Sequence, residues 1–341
     1  MIIRPANLGD VDALLALSKD IRMGMTSMPD DRLTWLKKLE LSACCFKDNQ
    51  ADRNIFLVLE DDEGQVIGSA GIHACVGFKS PFYNYKVSKQ VAVSESLDIS
   101  VACETLNLVN DFTHATELTS LYLRPESRKK ALGQFLSRSR FLVLSDFPEY
   151  FSPMVFAEIR GWLNEQEESP FWQNIGNKFF NMSYKKADFI SAVNGSQFIS
   201  DLMPRYPIYL NLLSDEVQKV VAKANDESLP AMRLLEKEGF AYRGYIDIFD
   251  AGPVLQCERE HIESLKQAST HTFVHYRNGS LKNFQKIECL VSNKNPDCYR
   301  IALLSLLRDP NGGVYLFESD AKRLQTEPGN PLNILALWGA H

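Results

Sequence analysis

The 341-residue sequence has no long uninterrupted apolar run and no excess of positive charge. A helix that spans a bilayer needs about 20 consecutive apolar residues. The first residues, MIIRPANLGDVDALL, also lack the charged start and apolar run of a signal peptide. With 37 basic and 43 acidic residues the net charge is −6, which argues against nucleic acid or an anionic membrane as the main partner. We therefore expect a cytoplasmic protein that binds neither nucleic acid nor membranes.

Cysteine is scattered through the chain. The seven cysteines are an odd number, and none of them form a CxxC pair. A disulfide framework or a zinc site would need paired or closely spaced cysteines, so we expect reduced thiols and no resident metal. Hydrophobic residues at 45% and charged residues at 23% are ordinary values for a globular protein. The length suits one large domain with an appendage, or two domains.

Strand and helix patterns alternate in the first 257 residues. Apolar spacing predicts, in chain order, a strand at 2–4, a helix from about 11, a helical segment at 31–46, a hairpin at 55–76 and strands at 117–123 and 154–163. Two short helix patterns, at 171–180 and 232–240, each close on a glycine before an aromatic residue. Gly239 is well placed to end the second of these helices.

The pattern changes after about residue 263. Short β-prone runs such as HTFVHY, KIECLVSN and YRIALLSLL are separated by the turn clusters RNGS, NKNPD, RDPNGG and EPGN. These runs predict a small all-β, barrel-like domain at the end of the chain. The predicted organisation is a domain at 1–257 with a helical insertion around 184–227, a linker at 258–270 and a small β domain at 271–341.

Residues 121–140, LYLRPESRKKALGQFLSRSR, place cations where a predicted strand passes into a predicted helix. A helix start already carries partial positive charge from aligned peptide dipoles and unpaired N–H groups. Cations there are disfavoured unless an anion joins them, so the stretch is typical of a pyrophosphate-binding loop. A solvated basic face explains the same residues, and both interpretations stay open. The sequence has neither GxxxxGK[ST] nor GxGxxG, so ATP-type and dinucleotide-type loops are unsupported.

Within this stretch, residues 128–133 (RKKALG) resemble the acyl-CoA pyrophosphate loop R/Q-x-x-G-x-G/A of the GNAT acyltransferase superfamily, with Ala131 at the first glycine. The wider sequence resembles the arginine N-succinyltransferase family. The segments that carry this resemblance lie in order along most of residues 1–255 and are MTSMPDD (25–31), FYNYK (82–86), ELTSLYL and SRSRF (within 117–141), AEIRG (157–161), SPFWQNIGNKFF (169–180), ADFI (187–190), LMPRYPIY (202–209), LLEKEGF (234–240) and YIDIFDAGP (245–253).

The resemblance implies an α+β fold. It implies a GNAT-like acyl-CoA transferase domain, with a mixed and mainly antiparallel sheet and flanking helices, followed by the small β domain. It also implies transfer of succinyl from succinyl-CoA to the α-amino group of L-arginine in arginine catabolism. Succinyl-CoA would be a co-substrate, with no permanently bound cofactor and no metal, because a neutral amine can attack a thioester directly. A homo-oligomer and a hetero-oligomer with a paralogous subunit are both open.

The resemblance also implies where acyl-CoA would bind. The strand would offer backbone groups to the pantetheine and thioester, and the basic loop would hold the pyrophosphate. The residues implied in this binding are Leu121, Tyr122, Leu123, Arg128, Lys129 and Gly133.

The sequence departs from the family at its histidines. Family members carry a histidine, assigned as proton donor, in a V-H-P context, and the matching position here is Asn225 in VVAKANDESLP. A second family histidine, in an N-D-H-T context, is matched by Phe112 in NDFTH, where His114 follows two residues on. An asparagine side chain cannot transfer a proton at neutral pH, so the activity itself is in question.

Two other residues could take part in catalysis with Asn225. Glu158 in AEIRG and Tyr206 in LMPRYPIY could serve as base, donor or water anchor if their surroundings shift their pKa. Glu158 could instead form an ion pair with Arg160 or a neighbouring strand. These alternatives make Asn225, Glu158 and Tyr206 the candidate catalytic residues.

Binding of arginine would need carboxylates, because a carboxylate matches the planar fork of a guanidinium group. Asp188, Asp247 and Asp250 are the candidates, although strand alternation also allows Asp247 to face solvent. The succinyl carboxylate needs a cation, and the sequence does not choose among several. The candidates are Arg140, Arg160, Lys178 and Arg205.

Three hypotheses follow from these observations. The first is an active arginine N-succinyltransferase. The second is a catalytically weakened homologue that binds CoA or arginine, or that supports an active partner subunit. The third is the same acyl transfer to another amine such as ornithine.

Overall fold

The computed structural model describes residues 1–21, 25–43, 46, 53–128, 130–195, 197–276, 285–308 and 313–338. Its strands are β1 Ile2–Pro5, β2 Asn54–Glu60, β3 Val66–His73, β4 Asn84–Ser94, β5 Ile99–Val109, β6 Thr116–Leu123, β7 Met154–Glu158, β8 Ile208–Tyr209, β9 Ala241–Ile246, β10 Pro253–Glu258, β11 Ser269–Tyr276, β12 Gln285–Ser292, β13 Ile301–Arg308, β14 Val314–Leu316 and β15 Pro331–Ala336. Its helices are α1 Val11–Asp20, α2 Arg32–Ala43, α3 Lys130–Asp146, α4 Pro170–Asn174, α5 Gly176–Phe180, α6 Tyr184–Asn194, α7 Gln197–Leu202, α8 Asp215–Val220, α9 Leu229–Lys237, α10 Glu263–Gln267 and α11 Glu318–Leu324.

The strands of the first 258 residues follow the order β1-β2-β3-β6-β7-β10-β9-β4-β5-β8. Neighbours are antiparallel except β6 and β7, which are parallel and joined through α3. A helix that connects adjacent parallel strands runs back antiparallel to them. The helix is held by apolar side chains such as Phe135, Leu136 and Leu142, which lie in the largest hydrophobic core. Burial of each such side chain contributes about 1.5–3 kcal/mol.

The parallel pair β6–β7 is short. Only Thr116 and Glu117 pair with β7, opposite Val155 and Phe156, and the two strands then diverge. On its other edge β6 has a register shift against β3, and Ser120 within the shift has a φ of 53°. A non-glycine residue in this left-handed region marks a β-bulge, which bends the strand. The bend in β6 therefore coincides with the gap between β6 and β7.

The last five strands form a closed barrel. They follow the order β12-β15-β11-β14-β13, and β12 also pairs with β13. Apolar side chains such as Phe273, Val291 and Leu304 fill its interior. β13 also pairs with β1, so the barrel continues the main sheet. The predicted α+β architecture with a small C-terminal barrel is confirmed.

The segment interpreted as a linker contains α10, which packs on α3. Buried hydrogen bonds join these helices. Arg138 on α3 donates from Nε to Ser264 Oγ on α10 (2.9 Å) and to Glu238 Oε1 (3.1 Å). The segment interpreted as a helical insertion contains α6, α7, β8 and α8. The domain boundaries themselves stay a prediction.

The sequence patterns did not predict the hairpin of β4 and β5. Its two strands are 11 residues each and pair along their whole length, from Asn84–Val109 to Ser94–Ile99. Its outer half projects from the sheet with exposed apolar side chains, among them Val91, Val93 and Val101. The predicted strand at 154–163 is shorter than expected, because β7 ends at Glu158.

Candidate active site

A cavity of about 780 Å³ lies where β6 and β7 separate. Its walls are formed by β6, α3 as far as Arg140, the end of β7 with the loop after it, α9 with the turn before it, and the end of α1 with residues 25–27. Beyond Glu117, the edge of β6 that faces β7 has no strand partner in the described ranges. Backbone N–H and C=O groups on such an edge are available to an extended ligand.

The start of α3 forms one end of the cavity. This helix is 17 residues long and has no acidic residue in its first turn. Arg128 lines the cavity and donates from Nε to the Leu123 carbonyl oxygen at 3.0 Å. Gly133 also lines it, and a Cβ at this position would meet no atom within 4 Å. The open helix start, with Arg128 beside it, is suited to binding an anion.

The structure brings five of the six predicted acyl-CoA contacts to the cavity wall. These residues are Leu121, Tyr122, Leu123, Arg128 and Gly133. The sixth, Lys129, lies outside the described residues. The Tyr122 ring is buried among side chains of α1 and α2, so its backbone is the part available to a ligand.

Two carboxyl side chains line the cavity near the point where β6 and β7 separate. Glu158 is the last residue of β7, and Glu117 lies on β6. Burial raises the pKa of Glu158 well above its ordinary value, and the negative charges of Asp247 and Glu117 raise it further. The Asn84 side-chain amide donates to Glu158 Oε1 at 2.7 Å and opposes this rise. Two half-buried carboxyls that interact in this way resist simultaneous ionisation.

Glu117 was missed by the sequence reasoning. Burial raises the pKa of the Glu117 carboxyl, while the charges of His73 and Lys38 lower it. His73 is the direct neighbour of Glu117 across the β3–β6 pair. Alternation in ELTSLYL places Glu117, Thr119 and Leu121 on one face, the more exposed one. This alternation was the available signal, because the implied ligand-binding residue Leu121 shares that face.

Asn225 caps a short helical turn next to the cavity. Its side-chain oxygen accepts a hydrogen bond from the Glu227 N–H at 3.0 Å, and its own N–H donates to the Arg160 carbonyl at 2.8 Å. The cavity wall includes Glu227 and Ser228 but not Asn225. Arg160 pairs with Glu227 at 3.3 Å, so the ion pair considered between Glu158 and Arg160 is not formed.

Several other predicted residues lie away from the cavity wall. Tyr206 is 86% exposed. Phe112 is buried and stacks on Phe156 with ring centroids 4.3 Å apart. His114 lies at the surface, with Nδ1 at 3.3 Å from Cys75 Sγ. The structure therefore does not bring Tyr206, Phe112 or His114 to the site.

The predicted guanidinium-binding aspartates form a separate group. Asp247 Oδ1 accepts hydrogen bonds from the Phe249 and Asp250 N–H groups at 2.7 and 2.9 Å. Asp250 accepts from the N–H groups of Gly161 and Gly252, both at 2.8 Å. Burial, followed by the charge of Asp250, raises the pKa of Asp188 to about 7. None of the three aspartates lines the cavity.

Two further properties of the described ranges concern metals and membranes. Within those ranges, no group of three or more His, Cys, Asp or Glu side chains is arranged to hold a metal ion. No helix in the same ranges has both the length and the apolar character to cross a membrane.

The cavity combines an anion-binding helix start with an open strand edge. Acyl-CoA fits both features, because it has phosphates at one end and an extended chain with amide groups leading to the thioester. The fold and the site thus define a CoA-dependent acyltransferase. Comparison with known proteins specifies the family. A family model described as arginine N-succinyltransferase beta subunit matches residues 1–264, and the chain belongs to the arginine N-succinyltransferase family.

Individual relatives agree with this assignment. The chain is 38% identical over 307 residues to proteins named arginine N-succinyltransferase from Escherichia coli K12 and Escherichia fergusonii, with 89% of this chain and 88% of each relative covered. A solved structure of arginine/ornithine succinyltransferase subunit AI from Pseudomonas aeruginosa has a TM-score of 0.88 and 30% sequence identity, and 98% of each chain is covered.

Proposed function

We propose that the protein transfers a succinyl group from succinyl-CoA to the α-amino group of L-arginine. The observation that carries this proposal is the continuous cavity, which runs from the start of α3 to Glu117 and Glu158. The choice of substrates is supported by the 38% identity of the chain to proteins named arginine N-succinyltransferase. Four acidic residues line the cavity together with four basic ones, Arg128, Arg140, Arg160 and Lys237, and a carboxylate among them suits a cationic acceptor. The acidic residues are Asp20, Glu117, Glu158 and Glu227.

The chemistry needs a neutral amine next to the thioester. The amine nitrogen attacks the carbonyl carbon, a C–N bond forms, the C–S bond breaks and CoA leaves as a thiolate. The open edge of β6 supplies backbone N–H groups that stabilise the oxyanion of the intermediate. Holding both substrates in one cavity contributes through proximity.

Glu117 accepts the first proton from the α-ammonium group. The charges of His73 and Lys38 favour the ionised form of Glu117, whereas Asp247 and Glu117 both disfavour ionisation of Glu158. Glu117 is therefore the member of the pair that ionises more readily, and a base whose pKa is raised accepts a proton more readily. The second amine proton, lost after attack, neutralises the departing thiolate.

The deciding assay mixes the purified protein with succinyl-CoA and L-arginine and follows the release of free thiol. We expect thiol release that depends on both substrates, with mass spectrometry showing N-succinylarginine. L-Ornithine assayed in parallel tests the second amine named for the Pseudomonas aeruginosa relative. Thermal stabilisation by CoA without turnover for any amine would instead support a binding-only homologue.

The names of the relatives also bear on assembly. The family description and the Pseudomonas aeruginosa structure each refer to a subunit. We infer that this chain forms an oligomer, with itself or with a paralogous chain. Light scattering coupled to size-exclusion chromatography of the chain alone tests self-association. A measured mass of 38.7 kDa, that of one chain, would exclude a homo-oligomer and leave an oligomer with a paralogous chain as the remaining form.

A further inference from the structure

Two buried arginines on α3 share one buried carboxylate. Arg138 and Arg140 are 0% and 1% exposed. Glu238 is bound by Arg138 and also accepts hydrogen bonds from the Ser264 N–H (2.7 Å) and Oγ (2.6 Å). Glu238 attracts Arg140 only at longer range. Glu238 therefore binds Arg138 directly and leaves Arg140 without a direct hydrogen bond to it.

Arg140 has few hydrogen-bond partners for a buried guanidinium group. Its Nε donates to the Ser137 carbonyl (3.1 Å) and its Nη2 to Ser137 Oγ (3.0 Å), both on its own helix. These two bonds use two of its five N–H donors. No carboxylate in the described ranges lies within ion-pair distance of it. Burial lowers the pKa of Arg140 to about 10, so it is charged at neutral pH, and an uncompensated buried charge is costly.

Arg140 also lines the cavity that holds the candidate site. It follows Gly133 by seven residues, about 10 Å along the helix at 1.5 Å per residue. Because α3 runs antiparallel to β6, this displacement points away from the phosphate-binding helix start and towards Glu117. An anion at Arg140 would therefore belong to the acyl end of the ligand.

The other cations considered for this role are less suitable. Arg160 lines the cavity but pairs with Glu227. Lys178 and Arg205 do not line it. Arg128 lies at the start of α3, where the phosphates are expected. Arg140 is thus the buried cation of the cavity wall that lacks a carboxylate within ion-pair distance.

We propose that Arg140 binds the terminal carboxylate of the acyl group and makes the enzyme selective for a dicarboxylic acyl-CoA. This inference rests on the proposed function, since it names a specificity residue for that acyl transfer. Removal of one member of a buried charged pair typically lowers binding strongly. The carboxylate distinguishes succinyl-CoA from butyryl-CoA, which has the same number of acyl carbons and no charge at its end.

The test measures kcat/KM for succinyl-CoA and butyryl-CoA, with L-arginine as acceptor. We expect the wild-type protein to prefer succinyl-CoA by about 30- to 1,000-fold. Arg140→Met removes the charge but keeps an unbranched stem, and it should abolish most of this preference while leaving butyryl-CoA within about threefold. Arg140→Lys should retain an intermediate preference. Arg128→Met is the matched control, because it should weaken both donors equally and preserve their ratio.

The outcomes separate this inference from the proposed function. Absence of transfer from every acyl-CoA would contradict the proposed function itself. Transfer from both donors with no preference in the wild-type protein would overturn the role of Arg140, and this measurement needs no variant that has to fold. Equal losses for both donors in Arg140→Met, in a variant with wild-type circular dichroism, would also overturn it by showing a structural role.

Discussion

Glu117 and Glu158 line the same cavity but differ in the charges that surround them. Both are half-buried and line the cavity at the point where β6 and β7 separate. Burial raises the pKa of both carboxyls, but the charges of His73 and Lys38 oppose this rise at Glu117, whereas the charges of Asp247 and Glu117 add to it at Glu158. Asn225 caps a turn beside the cavity, where its side-chain oxygen accepts a hydrogen bond from the Glu227 N–H.

Replacement of Glu117 by glutamine tests the base directly. We expect Glu117→Gln to lower kcat by about 10²- to 10⁴-fold without changing the Kd for CoA, because a positioned base acts only on the reacting centre. The wild-type rate should fall as the pH drops through the raised pKa of Glu117, and this acid limb should disappear in the variant. Stopped-flow or steady-state thiol release over pH 5–9 provides the measurement. Glu158→Gln is the paired variant. A larger loss of kcat in Glu158→Gln than in Glu117→Gln would make Glu158 the base instead of Glu117.

Asp188 couples folding to pH. Its folded pKa of about 7 is raised by burial and by Asp250, compared with an ordinary 3.8. A carboxyl group with a higher pKa in the folded state than in the unfolded state stabilises the fold at low pH, where it is protonated. This stabilisation is complete below the unfolded pKa of 3.8 and is lost as the pH rises through the folded pKa of about 7. We therefore expect Asp188→Asn to raise the Tm at pH 8 and to change it little at pH 4. The exposed Glu165→Gln is the control, and an equal effect of the two substitutions would contradict the assignment.

The start of α3 is the element on which we expect acyl-CoA binding to depend. Arg128→Ala should weaken CoA binding by about 1.5–3 kcal/mol, the scale of one charge-assisted hydrogen bond. The Tm should hardly change, because Arg128 is exposed and its described bond is to the nearby Leu123 carbonyl. Isothermal titration with CoA measures the loss, and the exposed Arg243→Ala serves as the matched control. A collapse of folding in Arg128→Ala would show that the residue is structural.

A substitution at Gly133 in the same helix should change thermal stability and CoA affinity in opposite directions. Alanine favours a helix over glycine by about 0.5–1 kcal/mol, and a Cβ here meets no neighbouring atom. Gly133→Ala should therefore raise the Tm while weakening CoA binding, since the methyl group enters the cavity where phosphate approaches the backbone. Thermal unfolding and titration of the same sample provide both values. Unchanged CoA affinity would place the phosphates away from this turn.

The whole molecule behaves as one packed unit in the described ranges. Barrel residues Tyr299 and Leu335 belong to the same hydrophobic core as α3. Asp146 at the end of α3 accepts hydrogen bonds from Tyr299 Oη (2.7 Å) and Asn333 Nδ2 (2.8 Å). Arg138 donates to the Ala336 carbonyl at 2.6 Å.

Removal of the barrel should therefore unfold the rest. A chain that ends at residue 268 would leave Asp146 and Arg138 without these partners and expose apolar core surface, a loss of several kcal/mol against a typical stability of 5–15 kcal/mol. Differential scanning calorimetry should show one transition for the full chain and no cooperative transition for residues 1–268. Two separate transitions in the full chain would contradict this expectation.

Local patterns were sufficient to predict the strand and the basic loop that line the cavity. The strand ELTSLYL and the basic loop before α3 are readable because periodicity and charge act over neighbouring residues. The barrel strands were readable for the same reason, since turn clusters separate them. The β4–β5 hairpin was not predicted, because its outer half is stabilised by pairing along its length rather than by a buried face.

The sequence by itself determined the strand–loop–helix order around Arg128, the small β-barrel and the resemblance to the family. Only the tertiary structure decided that Glu117 and Glu158, 41 positions apart in the sequence, share one cavity wall. It also decided that Asp247 and Asp250 bind backbone N–H groups. Arg140 lines the cavity, and among the described residues no carboxylate pairs with it. The physical reason is that strand register, the bend at Ser120 and the burial of charges depend on contacts between distant segments, which local periodicity does not encode.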